Sequence, residues 1–155
     1  MDPAPRAFDD LPRDPGSGLP VPFACGTADF GGPRDGSAPT TAVLDRRRVT
    51  QCALSRVCGV CGAGLGRPIT FLGSAEERDR NAFHFPPTHL ACARALVAAY
   101  GDAPGPLLGH DPAPRPWVLV TTGGFEFVRP NREDIDQRPT FQPNSLIDAD
   151  VALSG

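Results

Sequence analysis

Lysine is absent from this chain of 155 residues, so all fifteen basic residues are arginine. Asparagine, isoleucine and tyrosine, whose codons are AT-rich, are scarce, whereas alanine, glycine, proline and arginine abound. This bias indicates a gene from a GC-rich genome, either of a bacterium or of a phage of such a host. It carries no information about chemistry.

Long apolar segments are also missing. No stretch of eighteen apolar residues occurs, so the sequence predicts no membrane-spanning helix. The first eighteen residues are acidic and proline-rich and lack the positive charge and apolar stretch of a secretory signal. We therefore expect a cytoplasmic protein whose five cysteines are reduced thiols. In that compartment, clustered cysteine and histidine predict metal ligands before disulfides.

Motifs of common catalytic sites are missing as well. The chain has no G-x-S-x-G nucleophile turn and no phosphate-binding glycine motif. His84 lies between two phenylalanines in a predicted strand, where a plain strand histidine is more common than a fifth metal ligand or a nuclease base. His110 and Asp111 are neighbours in a loop rich in proline and glycine, and adjacency alone does not make a catalytic pair. We therefore predict a non-enzymatic protein with no small-molecule substrate.

Two short cysteine and histidine motifs are the strongest pattern in the chain. Cys58 and Cys61 are two residues apart, and the glycines that follow each of them ease the tight turn that lets both sulfurs reach one ion. His89 and Cys92 have the i, i+3 spacing that places two side chains on one face of a helix. The sequence therefore predicts one zinc ion bound by Cys58, Cys61, His89 and Cys92. Four protein ligands leave no open position for water, which is typical of a structural site.

The remaining cysteines, Cys25 and Cys52, are less favoured as metal ligands. Cys52 could substitute as a ligand, but it lies within a predicted helix six residues before Cys58. Cys25 is a further thiol outside the two motifs. Both are expected to be small apolar core residues.

The order of elements predicts an α+β fold with a treble-clef-like core. A zinc knuckle, a β-hairpin and a helix follow one another, and 27 residues between the ligand pairs are enough for the hairpin. An extra helix begins at Thr40 or Thr41 and runs to Ser55, while residues 73–81 are a charged loop. Strands are expected at 21–25, 67–72 and 82–85. The zinc-held helix covers 89–100, capped by Thr88 and stopped by Gly101, and a C-terminal hairpin with a Gly-Gly turn covers 117–128.

These elements divide the chain into three parts. Residues 1–20 are expected to be a disordered proline-rich tail, and residues 21–130 a single zinc-binding domain. Residues 131–155 are expected to be an extension with a short helix over 146–152, because Ser145 and Asp148 have capping-box spacing.

Charge leaves two functions open. Residues 39–101 contain eight arginines and four acidic residues, a net charge of +4, so the flanks carry −7. The alternative function is nucleic-acid binding, in which phosphates would be contacted by Arg46, Arg47, Arg48, Arg56 and Arg67. Against it, the predicted zinc-held helix carries one arginine, and no aromatic residue is interleaved with the basic run to stack on bases.

We favour a structural zinc that stabilises a protein-interaction module, with an unknown protein partner. An HNH-like nuclease, with His84 as its base, ranks third.

The pattern CxxCG, then FLG, then PPxHxxCA resembles a group of small uncharacterised treble-clef zinc-binding proteins found in actinobacteria and their phages. The resemblance covers roughly residues 21–128 and is densest over 56–95. It implies zinc binding by Cys58, Cys61, His89 and Cys92, and it implies no activity.

Overall fold

One antiparallel sheet and three helices make up the fold, and they confirm the predicted α+β class. The computed structural model describes residues 11–25 and 40–152, with the backbone alone from residue 145 onward. In these residues the sheet has the order β1-β2-β3. The strands are β1 (Ile69–Gly73), β2 (Trp117–Val128) and β3 (Thr140–Ala152). The helices are α1 (Arg46–Ser55), α2 (Ala75–Arg80) and α3 (Leu90–Tyr100), with a 3₁₀ turn at Phe23–Cys25.

The predicted hairpin over 117–128 is wrong, because these residues form the single central strand β2. One edge of β2 pairs with β1 and the other pairs with β3. The two glycines do not turn the chain; the register shifts between Thr121 and Thr122 just before them. A Cβ at Gly124 would lie 2.8 Å from Asn144 Oδ1 on β3, so glycine allows the close approach of the neighbouring strand.

The predicted helix over 146–152 is also wrong. These residues belong to β3, where Leu146 pairs with Thr122 and Val151 pairs with Val118. Because β3 pairs along the length of β2, the segment expected to be an extension completes the sheet of the main domain. The apolar and acidic residues from Ile147 to Val151 alternate, which is the period-2 signal of a strand and outweighs the capping-box spacing.

The chain between the two ligand pairs does not form the predicted hairpin. Residues 73–81, expected to be a loop, contain helix α2, which begins at a capping box between Ser74 and Glu77. The predicted strand at 82–85 is reduced to a single bridge between Phe83 and Phe141 of β3. β1 instead meets the returning chain through a bridge between Thr70 and Thr88.

Helix α3 matches its prediction except at its first residue. Gly101 ends it with a backbone N–H bond to Val97, as expected. His89 takes the N-cap position in place of Thr88. The Thr88 hydroxyl donates to the Thr70 carbonyl at 2.7 Å, so it is used by the bridge to β1 and cannot cap the helix.

Helix α1 begins later than predicted, since Asp45 is its N-cap and accepts from the backbone of Arg47. The predicted strand at 21–25 is instead the 3₁₀ turn at Phe23–Cys25.

Residues 11–20 form a turn where a disordered tail was expected, and residues 1–10 lie outside the described residues. Arg13 bridges Pro20, and the Tyr100 hydroxyl donates to the Pro20 carbonyl at 3.1 Å. The Asp14 carboxylate accepts from the backbone N–H of Thr41 at 3.1 Å. These bonds tie the segment to α3 and to the chain that precedes α1.

The core lies between the sheet and α3. Phe71 of β1 packs against Phe83 and Phe141 with ring centroids 5.7 and 5.9 Å apart, and all three rings are fully buried. Trp117 packs against Tyr100 of α3. Among the described residues, no helix combines the length and the apolar character needed to cross a membrane.

Candidate metal centre

Four side chains of the kinds that bind metals meet where the knuckle at residues 58–62 touches the start of α3. The ligand atoms of Cys58, Cys61, His89 and Cys92 all lie within 4.8 Å of one another. Cys58 and Cys92 are fully buried, while Cys61 and His89 are half-buried. The four residues predicted from spacing therefore come together, and their donor set, three sulfurs and one imidazole, fits a metal ion such as zinc.

Backbone geometry at the knuckle depends on two glycines. Gly62 has φ of +77°, a conformation that glycine adopts without strain, and its N–H donates to the Cys58 carbonyl at 2.8 Å. A Cβ at Gly59 would lie 2.9 Å from the Phe85 ring. The turn can therefore pack closely against the segment that leads to α3. His89 and Cys92, the other two residues of the cluster, lie at the start of that helix.

His89 is oriented for metal binding by its second ring nitrogen. Nε2 lies 3.0 Å from the Gly64 carbonyl oxygen, which can only accept, so Nε2 carries the proton. Nδ1 is left with a lone pair and lies 3.5 Å from Cys61 Sγ and 3.7 Å from Cys92 Sγ. A backbone carbonyl that fixes the tautomer of a histidine is the usual outer-shell partner of a metal ligand.

The thiols at the centre share their protons unequally. The backbone N–H groups of Val60 and His89 point at Cys58 Sγ from 3.3 and 3.5 Å. Burial opposes ionisation of Cys58, but hydrogen bonds from Cys61, Cys92 and the backbone lower its pKa to about 3. Hydrogen bonds to Cys58 and Cys61, together with burial, raise the pKa of Cys92 far above its ordinary value. Cys58 is thus the first of the coupled thiols to ionise.

Cys25 and Cys52 lie outside the cluster. Both are buried, and Cys25 Sγ lies 4.0 Å from the Thr41 carbonyl oxygen. Burial, with the nearby Cys58 charge as a second cause, raises the pKa of Cys52 to about 12, so it remains a neutral thiol at pH 7. Burial likewise raises the pKa of Cys25.

Three of the five arginines considered for nucleic-acid contact are engaged by their own protein. The Arg48 guanidinium lies 4.6 Å from the centre of the Phe23 ring, and that of Arg56 lies 5.3 Å from the centre of the Phe125 ring. Arg46 donates to the Gln137 carbonyl at 2.9 Å. Four of the five, all except Arg48, are exposed.

A second cluster of titratable groups was missed in the sequence. Glu77, only 2% exposed, accepts from the Nδ1 of His84 at 2.8 Å and pairs with the Nε2 of His110 at 3.2 Å. Two backbone N–H groups, of Ser74 and His84, also donate to its carboxylate, both at 3.0 Å. Burial opposes ionisation of Glu77, but the hydrogen bonds from His110 and His84 lower its pKa well below the ordinary value. The Ser-x-x-Glu spacing at residues 74–77 was a readable capping signal, whereas nothing local linked residues 77, 84 and 110.

Gly73 makes room for this carboxylate. A Cβ at Gly73 would collide with Glu77 Oε1 and lie 2.8 Å from the Phe83 ring. The glycine that ends β1 therefore belongs to the same arrangement.

Comparisons of the chain with protein-family models, with curated proteins and with solved structures gave no match. The resemblance to actinobacterial and phage treble-clef proteins accordingly stays a prediction. What can be said of function rests on the geometry of the chain itself.

Proposed function

We propose that the protein binds one structural zinc ion through Cys58, Cys61, His89 and Cys92, and that the zinc stabilises a protein-interaction module. The observation that carries this proposal is the convergence of four donor atoms within 4.8 Å of one another, contributed by two segments 27 residues apart in sequence. The fixed tautomer of His89 and the N–H groups aimed at Cys58 support it, because both favour the metal-bound form of the ligands.

The zinc is proposed to be structural because its four protein ligands complete a tetrahedron. A catalytic zinc keeps one position for water or substrate. An HNH-like nuclease would need a metal that contacts phosphate, and this donor set has no position to spare. We therefore propose a non-catalytic role in a reducing compartment such as the cytoplasm, where thiolate ligands persist.

For the partner, we propose a protein rather than a nucleic acid. Arg48 and Arg56 already lie over aromatic rings of the chain, which leaves fewer guanidiniums for phosphate. Two apolar side chains near the ends of α1, Val43 and Leu54, are 58% and 69% exposed. Exposed apolar side chains are common singly, so the choice rests mainly on the arginines.

Zinc content tests the first part of the proposal. Protein purified without chelator should contain one equivalent of zinc per chain by elemental analysis, and Cys25→Ser and Cys52→Ser should keep it. Both replaced thiols are buried outside the cluster. Substoichiometric zinc in the wild type would refute the metal site, and loss of zinc in Cys52→Ser alone would show that Cys52 is a ligand.

DNA affinity tests the choice of partner. At physiological salt we expect duplex DNA to bind no more tightly than the non-specific range of about 10⁻⁴–10⁻⁶ M. Replacing Arg46, Arg47 and Arg67 by glutamine should change this little, as should the control Arg94→Gln on α3. A dissociation constant below about 1 μM would favour the nucleic-acid alternative if the slope of log affinity against log salt fell by about one unit per replaced arginine.

A further inference from the structure

A cleft of about 370 Å³ lies beside the start of α1, and none of the four proposed metal ligands lines it. Its walls combine apolar side chains with two guanidiniums and an imidazole. The main lining residues are Val43, Leu44, Val49, His84, Arg46 and Arg138. A cleft of this size and mixed lining falls within the range of small-ligand sites.

The cleft carries two guanidiniums, and of these only that of Arg138 is paired with a described carboxylate. No carboxylate lines the cleft itself, but the His84 imidazole contacts two carboxylates outside it, Glu77 at 2.8 Å and Asp136 at 3.4 Å. Asp136, which lines the neighbouring cavity, accepts from Nε and Nη2 of Arg138 at 3.0 and 2.8 Å, so the unpaired positive charge of the cleft is that of Arg46. Arg46 uses a single N–H group, on the Gln137 carbonyl, and its others have no partner among the described residues.

The polar wall is held in place before any ligand arrives. Glu77 accepts the Nδ1–H of His84 at 2.8 Å and also the backbone N–H of the same residue at 3.0 Å. Arg138 donates to the Gly109 carbonyl at 3.2 Å, which joins the loop before β3 to the other side of the cleft. A wall fixed in this way loses little conformational entropy on binding.

We infer that this cleft binds a small organic acid, with its apolar body against Val43, Leu44 and Val49 and its carboxylate on the guanidiniums of Arg46 and Arg138. Arginine suits this task because its planar N–H groups match the two oxygens of a carboxylate. The apolar residues account for selectivity against small inorganic anions, which would leave that surface in contact with water. The inference is independent of the zinc proposal, since none of the four metal ligands lines the cleft.

Titration of the full-length protein with benzoate, benzamide and acetate tests this inference. Backbone amide shifts of Val49 and Gly109 in NMR spectra at constant pH report the site. Benzoate should bind saturably with a dissociation constant in the low-millimolar range. Benzamide lacks the charge and acetate lacks the apolar body, so each should bind at least about tenfold more weakly, which corresponds to the loss of one charge-assisted hydrogen bond or of ring burial.

Variants identify which arginines are responsible. Arg46→Gln and Arg138→Gln should each weaken benzoate binding about tenfold or more. Arg80→Gln, which lines only the neighbouring cavity, should leave it unchanged. Zinc content measured on each variant separates a failure of this site from a failure of the metal centre. The inference is overturned if benzoate gives no saturable shift at tens of millimolar, if benzamide binds equally well, or if Arg46→Gln binds like the wild type.

Discussion

Serine at position 58 or 92 is expected to abolish metal binding and unfold the region around the knuckle and α3. Zinc contributes about 10–16 kcal/mol to folding in isolated finger peptides, which matches or exceeds the whole stability of about 5–15 kcal/mol typical of a domain. Cys58 and Cys92 are both fully buried, so a serine hydroxyl at either position would also lie in the interior against the remaining thiols. Zinc analysis and thermal unfolding followed by circular dichroism measure the two effects.

Cys25→Ser is the matched control for these variants. It makes the same chemical change at a buried thiol outside the cluster. We expect it to keep one zinc per chain and to lose only the modest stability of a buried apolar contact. A Cys92→Ser variant that retained both its zinc and the wild-type melting temperature would contradict the proposed ligand set.

Removal of the buried carboxylate in Glu77→Ala is expected to have the second largest effect. The change leaves His84, His110 and the backbone N–H of Ser74 without their acceptor in the interior. Removing one partner of a buried charged pair typically costs about 3–5 kcal/mol. For a chain of this size the melting temperature should fall by about 6–20 °C.

Glu76→Ala provides a control on the same helix turn. Glu76 is exposed, so its loss should change stability by no more than about 0.5 kcal/mol. Thermal unfolding of the two variants side by side separates the buried network from helix propensity. Equal melting temperatures for Glu77→Ala and Glu76→Ala would show that the network contributes no stability.

The same carboxylate predicts a pH dependence. The pKa of Glu77 is lowered by hydrogen bonds from His110 and His84, although burial opposes the shift. A lowered pKa means that the stabilisation is complete above the ordinary value of 4.5 and is lost as the pH falls through the folded-state value. Because zinc thiolates also take up protons in acid, the contribution is best measured as the difference between the wild type and Glu77→Gln. That difference should shrink as the pH falls below 4.5.

The parts of the site that sequence reasoning recovered are those specified by close spacing along the chain. Two residues between Cys58 and Cys61 define a knuckle, and i, i+3 spacing brings His89 and Cys92 together at the start of a helix. The N-cap of α3 was predicted one residue too early, at Thr88. This did not affect the predicted cluster, because His89 at the N-cap position still lies beside Cys92. Local geometry is enough for such motifs.

The errors have a common cause in strand pairing. The Gly-Gly dipeptide of β2 is compatible with a turn or with an irregular strand, and only the presence of β3 decides between them. Capping-box spacing at 145–148 competed with an alternating apolar and acidic pattern, and pairing with β2 favoured the strand. Hydrogen-bond ladders form between segments distant in sequence, so local signals cannot rank the alternatives.

The sequence by itself determined the four residues of the candidate metal centre, the helix that carries half of them and the stop at Gly101, because each depends on residues within one or two turns of chain. Tertiary structure alone decided the sheet order, the partners of the arginines and the meeting of Glu77 with His84 and His110. These depend on contacts between residues up to 91 positions apart, such as that of Arg46 with Gln137. Contacts of that kind are selected by the burial of the whole core, to which every segment contributes at once.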